Sequence, residues 1–270
     1  MGLGPVVLLD KSAFQALSRR EYLILDSYTF ENLAPILVLE VLGDLTKQYR
    51  DGTVPAEKVQ ELARKFGGSG PAVNVDYRFM CMQSLLGADI PMQGKCIPDG
   101  AKTAPLPEGG YGMLVDVTPI NRMIMKLADG RISDLDVELS RLWRATASGL
   151  SLNPLNEFAN KRHLVIPRAA SIQDAAKTAS DLIDTCGLQL VWLEWLVGAF
   201  ADRASIRRRI LDRWALHGVA LRAFAPYAFF CLRALLTLFI AWRNALVRWG
   251  PTNLLDLQYL YYLPFCEAFV

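Results

Sequence analysis

The sequence predicts a mainly helical α/β protein. Its 270 residues are 52% hydrophobic, which is ample for a continuous core. Residues 5–9 (PVVLL) form a short run of β-branched and aliphatic residues, typical of a buried strand. From Ile120 onward, apolar residues recur at helical spacing over most of the chain. We therefore expect helices to dominate around a small sheet.

The N-terminal elements follow from local signals. The strand at residues 5–9 ends at Asp10, and Ser12 can cap a first helical turn or two. Pro35 is favourable in the first turn of a helix and begins one that contains Glu40 and runs to about residue 50. Residues 56–66 form an amphipathic helix that the glycines from Gly67 onward would end.

Later elements are mostly helical, with turn-rich sequence between residues 69 and 117. That region contains a helix at 77–86 and a strand-like segment at 111–117. Further helices are predicted at 121–129, 133–147, 156–161, 172–200, 206–216 and 221–249. A last helix, capped by Thr252 or Asn253 and carrying Asp256, leads into a strand-like pattern at 265–270.

Positive charge is concentrated late in the chain, although the formal net charge is only +2. Residues 201–250 hold nine arginines against two aspartates. Arg207, Arg208 and Arg209 would place guanidinium groups along one helix, where they could grip phosphates bidentately. A solvated helix face explains the same run equally well. The segment is a candidate substrate-binding surface for nucleic acid.

The cysteines and the apolar segments bear on location. The five cysteines are odd in number and form no CxxC pair, which argues against a disulfide framework or a zinc site and for a reducing cytoplasm. Residues 223–247 approach the length of a membrane span, but Arg233 and Arg243 interrupt them. A core helix without a membrane is the preferred interpretation.

Trp192 and Trp195 suit a buried helix or an oligomer interface.

Three acids are embedded in apolar sequence that we expect to be buried. Asp10 follows PVVLL, Glu40 lies inside ILVLEVL, and Asp256 lies inside NLLDLQYLYYL. Buried carboxylates need partners, and a shared divalent cation would serve all three. Each acid alone could instead cap a helix or pair with a core arginine such as Arg233. Asp44, one turn after Glu40, is a further candidate ligand.

The order of these acids resembles the PIN-like nuclease family, which includes toxin endonucleases of bacterial toxin–antitoxin pairs. The resemblance rests on LLDKSAFQALS at Asp10, APILVLEVLGD at Glu40, and DLQYLYYLPFCEAFV from Asp256. It implies a three-layer α/β/α fold with a short, mostly parallel sheet. Residues 1–270 would be a single domain, in which 1–50 and 250–270 form the acidic site and 51–249 a largely helical insertion.

The resemblance also implies an activity. Asp10, Glu40 and Asp256 would be catalytic and, with Asp44, would bind Mg²⁺ or Mn²⁺ for hydrolysis of phosphodiester bonds, foremost in RNA. Arg207, Arg208 and Arg209 would contribute substrate affinity. The alternative is a catalytically silent PIN-like module that binds nucleic acid or protein. An antitoxin or another protein would be the partner in either case.

The sequence departs from the family pattern at its end. The family places another acid shortly after the final strand, whereas this sequence stops at Val270. Either the sequence is a piece of a longer chain or the site is incomplete. Tyr259, Tyr261, Tyr262 and Phe265 could stack on bases, although packing in the interior is the more common role of such a cluster.

Overall fold

The computed structural model describes residues 4–66, 73–105 and 111–270, and the chain is a mixed α/β protein with a small parallel sheet. The chain divides into two compact units. The sheet unit comprises residues 1–76, 92–149 and 262–270, and the helical unit comprises residues 77–91 and 150–261. The prediction of one domain with an insertion stays a prediction.

The described residues form five strands. They are β1 (Val6–Leu8), β2 (Phe30–Asn32), β3 (Ala101–Pro105), β4 (Tyr111–Val115) and β5 (Ala268–Phe269). All five belong to the sheet unit. β1 pairs in parallel with β2 on one side and β5 on the other, and β3 and β4 form a separate antiparallel pair. The prediction of a short, mostly parallel sheet is therefore confirmed for the sheet that contains β1.

Helices account for most of the remaining described chain. Those of the sheet unit are α1 (Lys11–Ala16), α2 (Arg19–Tyr28), α3 (Pro35–Gly43), α4 (Pro55–Lys65), α6 (Pro119–Ala128) and α7 (Asp134–Ser148). Those of the helical unit are α5 (Tyr77–Leu86), α8 (Asn153–Lys161), α9 (Ile172–Asp184), α10 (Gln189–Phe200), α11 (Ala204–His217), α12 (Leu221–Phe224), α13 (Pro226–Arg243) and α14 (Thr252–Leu260).

Local signals explain how the first elements start. The Asp10 carboxylate accepts a hydrogen bond from the Ala13 amide at 2.7 Å and so caps α1. Ser18 and Glu21 form a reciprocal capping box at the start of α2, a signal in the sequence that our prediction overlooked. Pro35 opens α3, as predicted, because its missing amide costs nothing in a first turn.

The core of the sheet unit surrounds β1 and α3. Leu8, Phe14, Leu37 and Leu62 are fully buried, and the Phe14 ring stacks on Phe66 with centroids 4.5 Å apart. Polar groups lie among them. The Asn32 amide donates to the Phe265 carbonyl at 2.9 Å, which ties the strand β2 to the segment that precedes β5. Such buried polar bonds fix which segments pair.

The helical unit has a largely apolar core around α13, which packs against α9 and α5. Trp192 is fully buried and its indole N–H donates to the Leu182 carbonyl at 3.1 Å. The Tyr227 hydroxyl donates to the Tyr261 carbonyl at 3.0 Å. Both aromatic side chains therefore contribute apolar area while their polar atoms remain paired.

Two long predicted helices are interrupted, and a third is shorter than predicted. The helix predicted at 172–200 stops at Asp184, because Thr185 is extended and a 3-10 turn at Cys186–Leu188 follows. The helix predicted at 221–249 breaks at Ala225, since a residue before proline is disfavoured in the helical conformation. The helix predicted from Pro35 to residue 50 ends at Gly43 and continues only as a 3-10 turn.

Most other predicted elements are confirmed within a few residues. The helix at 77–86 coincides with α5, and the strand-like segment at 111–117 is β4. The strand-like pattern at 265–270 is shorter, and only Ala268–Phe269 forms a strand. The glycine helix stop expected from Gly67 onward lies outside the residues that the structure describes.

In the described part of the chain, one helix, α13, is long and apolar enough to cross a membrane. Half of its apolar window is buried inside the protein, and Leu236, Phe239 and Ile240 are part of the core. α9 and α10 would pass the same test only as one span, but they are bent by 75°. The core helix of a globular protein can have this length and composition too, and the packing of α13 against α9 and α5 fits that role.

Candidate functional site

Asp10 lies at a topological switch point of the parallel sheet, where the neighbours of β1 on its two sides come from different parts of the chain. It follows β1 directly, and its amide donates to the Val270 carbonyl at 2.9 Å, just beyond β5. The chain leaves β1 toward β2 on one side, whereas β5 completes the sheet on the other side. In open parallel sheets, ligands bind beyond the carboxyl ends of the strands at such a switch point. The predicted setting of Asp10 at a strand's carboxyl end is confirmed.

Glu40 lies in α3, the helix that follows the neighbouring strand β2. Its side chain is half-buried, as is that of Asp10. The Glu40 carbonyl accepts a hydrogen bond from the Lys11 ammonium at 3.1 Å. Since Lys11 immediately follows Asp10, this bond connects the chain segment after β1 to α3. The structure therefore places Asp10 and Glu40 in the same unit, on segments that one lysine joins.

Asp44 already has a cation. Its carboxylate is 2% exposed, accepts from the Lys11 ammonium at 2.8 Å, and accepts from the Gln15 amide at 3.2 Å. It opens the 3-10 turn at Asp44–Thr46 rather than extending the helix of Glu40. Burial, followed by the negative charge of Asp44, raises the pKa of Tyr49 to about 12. To bind a metal, Asp44 would have to exchange the Lys11 ammonium for it.

Asp256 belongs to the helical unit, where it lies in the second turn of α14. Its side chain is exposed, so the expectation that this acid is buried is wrong. Leu255 and Tyr259 are four residues apart and share the buried face of α14. Asp256 is turned about 100° from Leu255 by the helical period and points away from that face.

These acids are only a partial fit to a metal ion. Carboxylate oxygens are the ligands that Mg²⁺ and Mn²⁺ prefer. Within residues 4–66, 73–105 and 111–270, however, no group of three or more His, Cys, Asp or Glu side chains is placed to hold a metal. One Asp10 oxygen caps α1, and Asp44 is ion-paired. The donor chemistry suits a divalent cation, but the described arrangement is not a preformed site.

The three consecutive arginines of α11 have different surroundings. All three are exposed. The Arg207 guanidinium donates to the Ala201 carbonyl at 2.6 Å, at the end of α10, and Arg208 lies 3.7 Å from the Asp212 carboxylate. Arg209 has no ion pair among the residues that the structure describes. The triplet is thus a solvated helix face on which Arg208 and Arg209 remain accessible to an anion.

Other arginines of the late segment are structural. The Arg213 guanidinium donates to the Leu85 and Phe224 carbonyls at 3.0 Å each and stacks 4.0 Å from the Phe224 ring centroid. Arg222 pairs with Asp184, and Arg243 donates to the Asn156 amide oxygen at 2.6 Å. Much of the local positive excess therefore stabilises the helical unit and does not form one continuous anion-binding surface.

Glu31 is a perturbed carboxyl group that sequence reasoning missed. It lies in β2, where it accepts a hydrogen bond from the Tyr22 hydroxyl, and its other oxygen is buried without a partner in the described part of the chain. Burial raises the pKa of Glu31 to about 7, and the nearby charge of Asp26 acts in the same direction. A charged residue in a three-residue strand carries no local signal of such burial.

No family model, curated protein or solved structure matches this chain. The described geometry defines a class only at the level of architecture. That class is a mixed α/β protein with a parallel sheet in the order β2-β1-β5 and a separate helical unit.

Proposed function

We propose that this protein is a PIN-like, metal-dependent nuclease that hydrolyses phosphodiester bonds, with RNA as its substrate class. The observation that carries the proposal is the place of Asp10. It lies at the carboxyl end of β1, between β2 and β5, where open parallel sheets hold their ligands. Glu40 in the helix after β2 supports it.

Each acid has a separate part in the proposed reaction. One Asp10 oxygen caps α1, and the second oxygen would bind the cation. Glu40 is half-buried and therefore able to exclude water on one side while it holds a cation on the other. Asp256 belongs to the helical unit, so we assign the cation to Asp10 and Glu40 of the sheet unit. A bound Mg²⁺ or Mn²⁺ would lower the pKa of a water molecule and neutralise developing negative charge on the phosphate.

The accessible arginines of α11 would provide substrate affinity. Arg208 and Arg209 are exposed on one helix, and guanidinium groups bind phosphates bidentately. Such contacts are independent of base sequence and weaken with salt. A cytoplasmic setting and a protein partner such as an antitoxin belong to the same proposal.

A second candidate function is a catalytically silent module that binds nucleic acid or protein. The Lys11–Asp44 ion pair favours it. The Lys11 ammonium lies at 2.8 Å from Asp44 and at 3.1 Å from the Glu40 carbonyl, so a protein cation already neutralises this part of the site. A permanent cation would reduce the need for a metal there.

The deciding experiment is an RNA cleavage assay on the full chain, with labelled single-stranded RNA and Mg²⁺ or Mn²⁺. We expect cleavage that chelation abolishes and that Asp10→Asn reduces by about 100-fold, since metal-assisted charge stabilisation is worth several kcal/mol. Asp129→Asn is the matched control, because Asp129 is an exposed acid of the same unit that pairs with Arg131 at 2.7 Å. It should cleave at the wild-type rate.

The two functions give different results. Binding of the RNA without cleavage under either metal would establish the silent module and exclude the nuclease. Cleavage that survives Asp10→Asn would show that the activity does not depend on the end of β1. Calorimetric titration with Mn²⁺ separates the steps, because Asp10→Asn should weaken Mn²⁺ binding whatever the substrate.

A further inference from the structure

The helical unit contains a pocket that the proposed nuclease function does not use. Its volume is about 240 Å³, slightly below the roughly 300–1,000 Å³ of most ligand pockets, so only a small ligand would fit. α5, α10, α13 and α14 all contribute lining residues. Four helices thus contribute to the pocket, which is partly open to solvent, because Arg78 and Ala199 in its lining are exposed.

Aromatic rings form much of the pocket wall. Tyr77, Trp195, Phe200 and Tyr261 all line it. The Tyr77 ring contacts two of the others, with its centroid 4.7 Å from that of Tyr261 and 6.3 Å from that of Phe200. Leucines such as Leu196 and Leu232 provide the remaining apolar surface. This wall is complementary to a flat aromatic body, because offset and edge contacts between rings add to the burial of apolar area.

The polar end of the pocket has one charged side chain, Arg78. Its guanidinium donates to the Tyr77 hydroxyl at 3.3 Å, lies 5.9 Å from the Tyr77 ring centroid, and is exposed. Gln258 adds an amide on the α14 side. An exposed arginine above an apolar wall can bind an anion while the rest of the ligand is buried.

We propose that this pocket binds a small aromatic carboxylate, with its ring against Tyr77, Trp195 and Phe200 and its carboxylate on Arg78. An arginine in the lining favours an anionic group on the ligand, because guanidinium groups bind carboxylates bidentately, and the small volume suits one or two fused rings. The ligand would also contact Gln258, in the last turn of α14, and Tyr261, the residue that ends this helix. The proposal does not depend on nuclease activity.

The test uses naphthalene-2-carboxylate and its neutral analogue naphthalene-2-carboxamide, titrated into the full chain by calorimetry. We expect saturable one-to-one binding of both, with the carboxylate about fivefold tighter, the preference that a partly exposed ion pair provides. Arg78→Gln should abolish this preference and retain binding of the carboxamide. Arg233→Gln, an exposed arginine on α13 that does not line the pocket, should retain both.

A second variant tests the location without removing charge. Ala199 lines the pocket from α10 but is exposed, so Ala199→Trp should fill the pocket while the helical unit still folds, as circular dichroism would verify. It should abolish binding of both probes. Absence of saturable binding to the wild type, equal affinities for the two probes, or tighter binding of AMP than of the carboxylate would each overturn the proposal.

Discussion

The sheet unit and the helical unit bury different chemistry. Among the residues that the structure describes, seven polar or charged side chains are buried in the sheet unit and one in the helical unit. Those of the sheet unit are Asn32, Asp44, Lys65, Asn74, Thr118, Asp136 and Ser140, and that of the helical unit is Ser84. Buried polar groups cost desolvation and repay it only when each finds its partner. The sheet unit thus depends on specific pairings, and the helical unit on apolar packing.

The difference extends to the cations of the two units. In the sheet unit, lysines are the buried or half-buried cations. Lys11 pairs with Asp44, and Lys65, which is 3% exposed, donates to the Phe14 and Leu17 carbonyls. In the helical unit, Arg213 lies over an aromatic ring and binds backbone carbonyls. An ion pair links two elements through charge, whereas a stacked arginine also contributes apolar contact.

Lys11→Met should cause the largest loss of stability, because it removes a cation on which the sheet unit depends. Removing the ammonium leaves the buried Asp44 carboxylate with Gln15 but without its cation, and loss of one partner of a buried pair destabilises strongly. We expect the free energy of unfolding, measured by urea denaturation, to fall by about 3 kcal/mol, less than for a fully buried pair because Lys11 is 19% exposed.

Lys58→Met is the matched control for this effect. Lys58 pairs at 2.9 Å with Glu61, whose carboxylate is 58% exposed, so loss of Lys58 should cost less than about 0.5 kcal/mol. Adding Asp44→Asn to Lys11→Met should recover part of the loss, since a neutral amide is cheaper to bury. Equal effects of the two lysine variants would show that the buried pair contributes no more than a surface one.

The sequence could predict the elements that local signals determine. The apolar run before Asp10, the proline that opens the helix of Glu40, and the helix at Tyr77–Leu86 all depend on neighbouring residues, and all are confirmed. The Asp44 partner could not be found in this way, because Lys11 is 33 residues away in the chain. Whether an acid in an apolar run is buried depends on which helix face meets the core, and Asp256 is exposed for that reason.

Glu31→Gln should reveal a pH dependence of stability that arises from one partly buried acid of the sheet unit. Burial raises the pKa of Glu31 from 4.5 to about 7, so between these values the folded state keeps a proton that the unfolded state releases. The contribution of Glu31 to stability is therefore complete below pH 4.5 and is lost as the pH rises toward 7. We expect wild-type stability to decline by about 2 kcal/mol across this range and Glu31→Gln to flatten the decline.

Glu21→Gln provides a control of opposite sign. Hydrogen bonds from Ser18 lower the pKa of the exposed Glu21, so its contribution to stability is present above its ordinary pKa and is lost as the pH falls. Unfolding measured by circular dichroism from pH 4 to pH 8 should therefore separate the two variants. A wild-type stability that rises between pH 5 and pH 7, and continues to rise in Glu31→Gln, would contradict the assignment to Glu31.

Arg213→Met should have the smallest effect of the three, because it tests a unit whose core does not depend on ion pairs. Methionine keeps the contact with the Phe224 ring but leaves the Leu85 and Phe224 carbonyls without their donor. Since a lost hydrogen bond in a partly buried setting costs about 0.5–1.5 kcal/mol, we expect a loss of about 1 to 2 kcal/mol in urea denaturation. Arg208→Met, on the same helix and in an exposed pair with Asp212, should lose nothing measurable.

If Arg213→Met cost as much as Lys11→Met, the helical unit would depend on its polar contacts as strongly as the sheet unit does, and the contrast between them would not hold.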